Sequence, residues 1–114
     1  MDTTTTTEQS PVISVTGRFD AYSTPEIAGQ FTELADQGVN EIWVDLSGTE
    51  FIDSTALAEL VKQMKRARAN GGDLVLWRPS DPVRVILELT SLDLAFSLSN
   101  AESLPDRLGG DRRS

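Results

Sequence analysis

Apolar residues recur along the chain with two different spacings, which predict strands and helices in turn. Short runs rich in Val, Ile, Leu and Trp are typical of strands, whereas apolar residues three and four positions apart are typical of helices. The predicted strands are Val12–Val15, Glu41–Leu46, Leu74–Trp77 and Ala95–Leu98. Strands that alternate with helices about every 25 residues indicate an α/β domain with a mixed or mostly parallel sheet.

Three helices are predicted between these strands from residues that favour helix starts and ends. The first begins at Ser23 or Thr24 and ends at Gly38, the second runs from about Asp53 to Ala69, and the third opens at Asp81. Their apolar faces carry Ile27, Phe31, Leu34 and Ala35, then Leu57, Leu60, Val61 and Met64, then Val83, Ile86 and Leu87.

The two ends of the chain fall outside this alternation. The threonine-rich residues 1–10 are expected to form a flexible N-terminal segment or an edge strand, and residues 109–114 a flexible tail. Residues 11–108 then form one domain. A final helix over Ala101–Leu108 is expected to be short, because Pro105 would limit or break it.

Composition narrows the functional classes. The chain has 114 residues, an apolar fraction of 39% and a net charge of −8, which disfavours binding to nucleic acid because phosphates would be repelled. No apolar run approaches the roughly 20 residues of a membrane helix, so no membrane association is expected. The chain begins without the features of a signal peptide and has no cysteine; we therefore expect a cytoplasmic protein.

Catalysis by this chain is not expected. Histidine and cysteine are absent from the sequence, which removes the common general base, thiolate nucleophile and zinc ligands. The carboxylates are scattered, and no phosphate-binding glycine motif is present. We therefore predict no catalytic residues, no metal and no cofactor.

The junction Phe51-Ile52-Asp53-Ser54-Thr55-Ala56-Leu57 carries the most information about function. It follows a predicted strand and opens the second helix, where free backbone N–H groups and the helix dipole favour negative charge. Ser54 can be a helix cap or the acceptor of a phosphoryl group. Capping is the more common role of Asp and Ser at helix starts, but either Asp53 or Ser54 would suffice for it.

The surroundings of this junction are also predicted from the sequence. Phe51 and Ile52 are expected to anchor the turn in the core, which leaves the hydroxyl groups exposed on a rigid platform. Right-handed crossovers should bring the turns at Asp20, at Asp53–Ser54 and at Arg78–Asp81 to one edge of the sheet. A phosphate on Ser54 would then lie beside Asp53 and Asp20, whose charges repel it.

The stretch from Val44 to Leu60 resembles the signature of STAS domains, and within them that of bacterial anti-sigma factor antagonists. Gly17-Arg18-Phe19-Asp20 with Pro25-Glu26, Gly71–Trp77 and Ser91–Phe96 also fall where that family has equivalents. The resemblance implies a single STAS-like domain, with a mixed sheet of four to five strands and helices packed mainly on one side.

The resemblance also implies a functional cycle. The unphosphorylated antagonist binds an anti-sigma factor that is a serine kinase, and a sigma factor is released. The kinase then phosphorylates the residue matching Ser54, which ends the complex, and a PP2C-type phosphatase restores binding. The docking surface would include Asp20, Asp53, Thr55 and the outer face of the second helix with Glu59.

Two departures from the family pattern bear on this site. The family commonly has glycine two positions after the phosphorylated serine, where this chain has Ala56; a methyl group there is expected to favour the helix and to crowd a partner. Thr55, next to Ser54, leaves open which hydroxyl is modified.

Two alternatives remain at this stage. A two-component receiver domain would use Asp53 as its phosphoacceptor, but it needs an acidic pair after the first strand and a lysine after the last, and the only lysines are Lys62 and Lys65. The other alternative is a STAS interaction module in a larger sensory or transport-associated assembly, without phosphorylation.

Overall fold

A computed structural model describes residues 11–102 and residue 104. In chain order its elements are β1 (Val12–Ser14), β2 (Gly17–Phe19), α1 (Thr24–Asp36), β3 (Glu41–Asp45), β4 (Thr49–Ile52), α2 (Ser54–Ala69), β5 (Asp73–Trp77), α3 (Asp81–Leu89), a 3₁₀ helix (Leu92–Leu94) and β6 (Ser97–Ser99). The expectations for residues 1–10 and 109–114, and for most of a final helix, lie outside the described residues.

The larger sheet has four strands in the order β1-β3-β5-β6, and each neighbouring pair is parallel. The strands are Val- and Leu-rich because one sheet face is covered by helices. Ile42, Val44, Leu74 and Leu76 are fully buried on that face. Val12, Trp43 and Val75 form a row across the opposite face and are only half-buried.

The three helices pack to one side of this framework. Helix α2 contacts β5, α1 packs beside α2, and α3 contacts β4. The hydrophobic core lies between these helices and the buried sheet face, with Phe19, Phe31, Leu60 and Leu87 almost completely buried within it. The predicted α/β class and the single domain are confirmed, and the main sheet of the described residues follows the mostly parallel option.

A second sheet of two parallel strands, β2 and β4, was not predicted from the sequence. Arg18 pairs with Phe51 and Phe19 with Ile52, so the two strands end side by side at Asp20 and Asp53. Gly17, two residues after the predicted first strand, begins β2 with a φ of 75°. This small sheet therefore positions side by side the two turns that form the candidate site.

The last strand also differs from its prediction. Leu92–Leu94 forms a 3₁₀ helix, and β6 covers Ser97–Ser99 rather than Ala95–Leu98. Phe96 is buried just before the strand, and Leu98 is paired in register with Leu76. The apolar residues that suggested the strand therefore serve partly to pack the connection against the core.

Candidate functional site

The ends of β2 and β4 bring Asp20 and Asp53 together. The backbone N–H of Asp53 donates a hydrogen bond to the carbonyl of Phe19 at 3.2 Å, which extends the pairing of the two strands to the start of α2. Parallel strands end at the same edge of a sheet, so the two aspartates face a common turn region. The predicted approach of these two turns is confirmed.

The Asp53 carboxylate holds this turn region together. One oxygen accepts a hydrogen bond from the N–H of Ala56 at 3.0 Å, and the other accepts one from the N–H of Ala21, also at 3.0 Å. With φ −111° and ψ −179°, Asp53 has the extended backbone of a helix N-cap. Asp53 therefore caps α2 and fastens the loop after β2, and Ser54 is not needed for either task.

Ser54 and Thr55 are the first two residues of α2, and both are exposed. Within residues 11–102, neither hydroxyl takes part in a hydrogen bond with another residue. Ile52 lies behind them in the core at 6% exposure, so the turn is anchored as predicted on that side. The two hydroxyl groups are thus presented at the start of a rigid helix.

Phe51 does not anchor the turn in the core, contrary to the prediction. Its side chain is 38% exposed, and the guanidinium carbon of Arg18 lies 4.1 Å from the centroid of its ring. The reason is the unpredicted sheet: strand alternation turns Ile52 inward and Phe51 outward, next to its register partner Arg18. Arg18 and Phe51 therefore belong to the surface of the site.

Asp20 organises the loop between β2 and α1. Its carboxylate accepts hydrogen bonds from the N–H groups of Tyr22 and Ser23, at 3.0 and 3.2 Å, and from Nε of Arg18 at 3.2 Å. Desolvation raises the pKa of Asp20, but these donors outweigh it and hold the pKa below its ordinary value. These hydrogen bonds fix the backbone of the loop, although Tyr22 within it is 94% exposed.

Sequence reasoning missed Arg18, Phe51 and Tyr22 as parts of this surface. Burial along β4 does not alternate, because Thr49 and Ile52 are buried, Glu50 and Phe51 are exposed, and the pairing register shifts between Gly17 and Arg18. Strand periodicity alone would therefore not have placed Phe51 outward. The sequence indicates a turn at Asp20 and no strand before it, so it does not predict the pairing of Arg18 with Phe51. Ser23, proposed as a cap of α1, occupies the N-cap position without capping; its hydroxyl donates to the carbonyl of Arg18 at 2.9 Å.

Ala56 points into the core of the domain rather than to its surface. The residue is fully buried, and its backbone N–H is the donor to Asp53. Alanine favours the helix over glycine, and here its methyl group also fills part of the core. The methyl group of Ala56 therefore contributes to the packing of α2.

Glu59 is less available than the sequence suggested. Its side chain is 11% exposed, and its carboxylate accepts a hydrogen bond from the side chain of the buried Gln63 at 2.7 Å and lies 3.9 Å from Nζ of Lys62. Gln63 in turn accepts from Arg66, which also donates to Asn40. This polar row braces α2, so Glu59 presents little charge to solvent.

The third predicted turn, at Arg78–Asp81, is bonded to the end of β3 and the start of β4. The N–H of Ser80 donates to the carbonyl of Leu46 at 3.2 Å, and the Ser80 hydroxyl donates to the carbonyl of Thr49. The turn at Arg78–Asp81 therefore contacts the connection between β3 and β4, and the helix that follows it packs against β4.

The geometry disfavours a receiver domain. Both carboxylate oxygens of Asp53 are committed to backbone N–H groups, and the two lysines lie on the same helix, α2.

In the ranges that the structure covers, no helix is both long and apolar enough to cross a membrane.

Comparison with known proteins identifies the family to which the chain belongs. The family model described as "STAS domain" matches residues 3–103 of the chain. The chain belongs to the STAS domain family. This STAS domain is 30% identical to an anti-sigma-B factor antagonist of Staphylococcus aureus over 89 residues, which cover 78% of this chain and 82% of that protein.

Two solved structures of SpoIIAA share the fold. The anti-sigma factor antagonist SpoIIAA in its unphosphorylated form gives a TM-score of 0.71 at 22% identity, covering 82% of this chain and 83% of that one. The Bacillus cell fate determinant SpoIIAA in its phosphorylated form gives 0.66 at 22% identity, covering 82% and 86%. At this identity the likeness supports the fold of the STAS domain alone.

Proposed function

We propose that this STAS domain is an anti-sigma factor antagonist that is switched by phosphorylation of Ser54. In its unphosphorylated state it binds an anti-sigma factor that is a serine kinase, and a sigma factor is thereby released. Phosphorylation of Ser54 by that kinase ends the binding, and a PP2C-type phosphatase restores it. The chain acts as a binding switch rather than as an enzyme.

The observation that carries this proposal is the division of roles between Asp53 and Ser54. Asp53 alone caps α2, and the exposed Ser54 hydroxyl makes no bond to the described residues around it. A hydroxyl that caps a helix is hydrogen-bonded to backbone N–H groups, which would hinder its phosphorylation. Ser54 has no such task, so a kinase can reach it without disturbing the helix.

The electrostatics of this position suit a reversible phosphate. A phosphoserine brings about −1.5 to −2 charges, and a helix N-terminus accommodates negative charge. The nearby Asp53 and Asp20 carboxylates oppose it, but the fold does not depend on Ser54. The modified domain should therefore stay folded while the potential of its surface changes sharply.

The relatives support the same conclusion. SpoIIAA is known in unphosphorylated and phosphorylated forms, and this chain matches both with similar TM-scores, 0.71 and 0.66. A fold of this kind thus accommodates phosphorylation in that protein without losing its architecture.

The proposed docking surface surrounds Ser54. Thr55 lies beside it on α2. Asp20 and Asp53 lie next to the adjacent loop, and their carboxylates accept hydrogen bonds from its backbone N–H groups. Glu59 has the smallest role because it is mostly buried. Tyr22, Phe51 and Arg18 extend the same surface, and such aromatic and arginine side chains commonly supply much of the binding energy of an interface.

Three variants test the proposal against a purified anti-sigma factor serine kinase from the same genome. Ser54→Ala should bind as the wild type does and resist phosphorylation, whereas Ser54→Asp should bind at least about tenfold more weakly. Thr55→Ala is the matched control and should still accept one phosphate. Equal affinities of Ser54→Ala and Ser54→Asp would overturn the switch, and phosphate on Thr55 would reassign it.

A further inference from the structure

An open groove of about 560 Å³ runs along α2 next to the 3₁₀ helix. Its apolar lining consists of Leu57, Val61 and Leu92, which are half-buried and rest on the hydrophobic core. Lys62 and Lys65 line it together with the small Ala58. Its floor is therefore apolar and fixed, and two of the groups along it are cationic.

The groove continues from the proposed phosphoacceptor along the same side of the helix. Leu57, Val61 and Lys65 follow Ser54 at intervals of three, seven and eleven residues, which place them on one stripe of α2. With a rise of about 1.5 Å per residue, Lys65 lies about 16 Å along the axis from Ser54. A partner seated on Ser54 can thus extend into the groove.

The charge of the groove is opposite to that of the chain. The protein carries a net charge of −8, and Lys62 and Lys65 are its only two lysines. The Lys62 side chain is 72% exposed, and its acidic neighbour Glu59, 3.9 Å away, is mostly buried. Lys65 is exposed and has no ion pair among the described residues. Two exposed ammonium groups therefore line this strip, and that of Lys62 is paired with Glu59.

We propose that the groove binds an acidic, amphipathic segment of the anti-sigma factor, with apolar side chains on Leu57, Val61 and Leu92 and carboxylates on Lys62 and Lys65. This inference rests on the function proposed above and specifies the partner's chemistry. An apolar groove flanked by positive charges complements the apolar face and the acidic groups of such a segment. A nucleic acid would not fit, since the rest of the acidic surface repels its phosphates.

The test compares charge reversal inside and outside the groove. Dissociation constants are measured for the purified anti-sigma factor serine kinase with wild type, with the double variant Lys62→Glu plus Lys65→Glu, and with Arg84→Glu, an exposed cation on α3. We expect the double variant to bind at least about tenfold more weakly, Arg84→Glu to change affinity less than about twofold, and the difference to shrink at high salt. Circular dichroism checks that each variant is folded.

A second readout locates the contact. The methyl NMR signals of Leu57, Val61 and Leu92 should shift on addition of the same kinase. If the double variant binds as tightly as wild type while Ser54→Asp binds more weakly, the groove proposal is wrong and the proposed phosphorylation switch stands. If wild type does not bind at all, both are overturned. If the groove methyl signals instead report self-association of the chain, a second copy occupies the groove and the inference is wrong.

Discussion

Asp53 accepts a hydrogen bond from the backbone N–H of Ala21, 32 residues earlier in the chain, at 3.0 Å. The other oxygen of the same carboxylate caps α2 through Ala56. One side chain therefore joins the loop after β2 to the helix that presents Ser54. The position of the proposed docking surface depends on this bridge.

Replacement of Asp53 should loosen both elements. Asp53→Ala removes a helix cap and a second hydrogen bond, and we expect it to lower the free energy of unfolding by about 1–3 kcal/mol. Urea unfolding measures the loss, and amide exchange at Ala21 should become faster. Asp53→Asn caps equally well but has one carbonyl oxygen for two donors, so its loss should be smaller. Unchanged exchange at Ala21 in Asp53→Ala would contradict the bridge.

Ala56 should matter for stability and not for binding. Ala56→Gly loses helix propensity of up to about 1 kcal/mol and, in addition, a buried methyl group. Ala58→Gly, at an exposed position of the same helix, loses the propensity alone and serves as the control. Thermal unfolding should rank Ala56→Gly as the less stable variant. A gain in anti-sigma affinity for Ala56→Gly would show that the methyl group does face the partner.

Two glycines should respond to alanine in opposite directions. A methyl group at Gly72 would overlap the backbone carbonyl of Asn40, which is held in place by the N–H of Asp73 at 2.9 Å. Gly72→Ala should therefore destabilise the domain by about 1–3 kcal/mol. Gly29 lies exposed within α1 with open space around it, so Gly29→Ala should stabilise by up to about 1 kcal/mol. Denaturant midpoints measure both, and a stable Gly72→Ala would mean that the backbone there can move.

Acid should weaken the fold through Asp73. Desolvation raises the pKa of Asp73, but the Ser97 hydroxyl and the Arg68 guanidinium, with the N–H of Leu74, outweigh it and hold the pKa below the ordinary value of 3.8. The folded state thus binds its proton less readily than the unfolded chain. This stabilisation is fully present above the unfolded pKa and is lost as the pH falls through the folded pKa.

The Asp73 variant isolates that contribution. In Asp73→Asn the urea midpoint should fall less steeply than in wild type as the pH is lowered below about 4. Asp36→Asn, a substitution of an exposed aspartate at the end of α1, is the charge-matched control and should keep the wild-type slope. Identical slopes for Asp73→Asn and wild type would remove Asp73 as a source of acid sensitivity.

The sequence predicted the elements whose signals are local. The capping residue Asp53, the glycines after Ala69 and the apolar stripe through Leu60 and Met64 together define α2, and its bounds were predicted within one residue. The helix that opens at Asp81 was predicted for the same reason. These features depend on spacing and on backbone preferences within a few residues.

The parts that were missed depend on distant pairing. Strands β2 and β4 have three and four residues, and each is stable only because it pairs with the other more than 30 positions away. Without that pairing Phe51 looks like a core residue, although it lies on the surface with Arg18. Helical spacing does predict that Glu59 and Gln63 are neighbours, but their burial also depends on distant contacts of the same polar row, such as that of Arg66 with Asn40.

The central claim is that a phosphate on Ser54 turns off binding to the anti-sigma factor. The most direct measurement compares the dissociation constants of the Ser54-phosphorylated domain, with the modification mapped by mass spectrometry, and of its unphosphorylated counterpart for the same purified kinase. We predict that the phosphorylated domain binds at least about tenfold more weakly and remains folded. Equal affinity of the two forms would contradict the account.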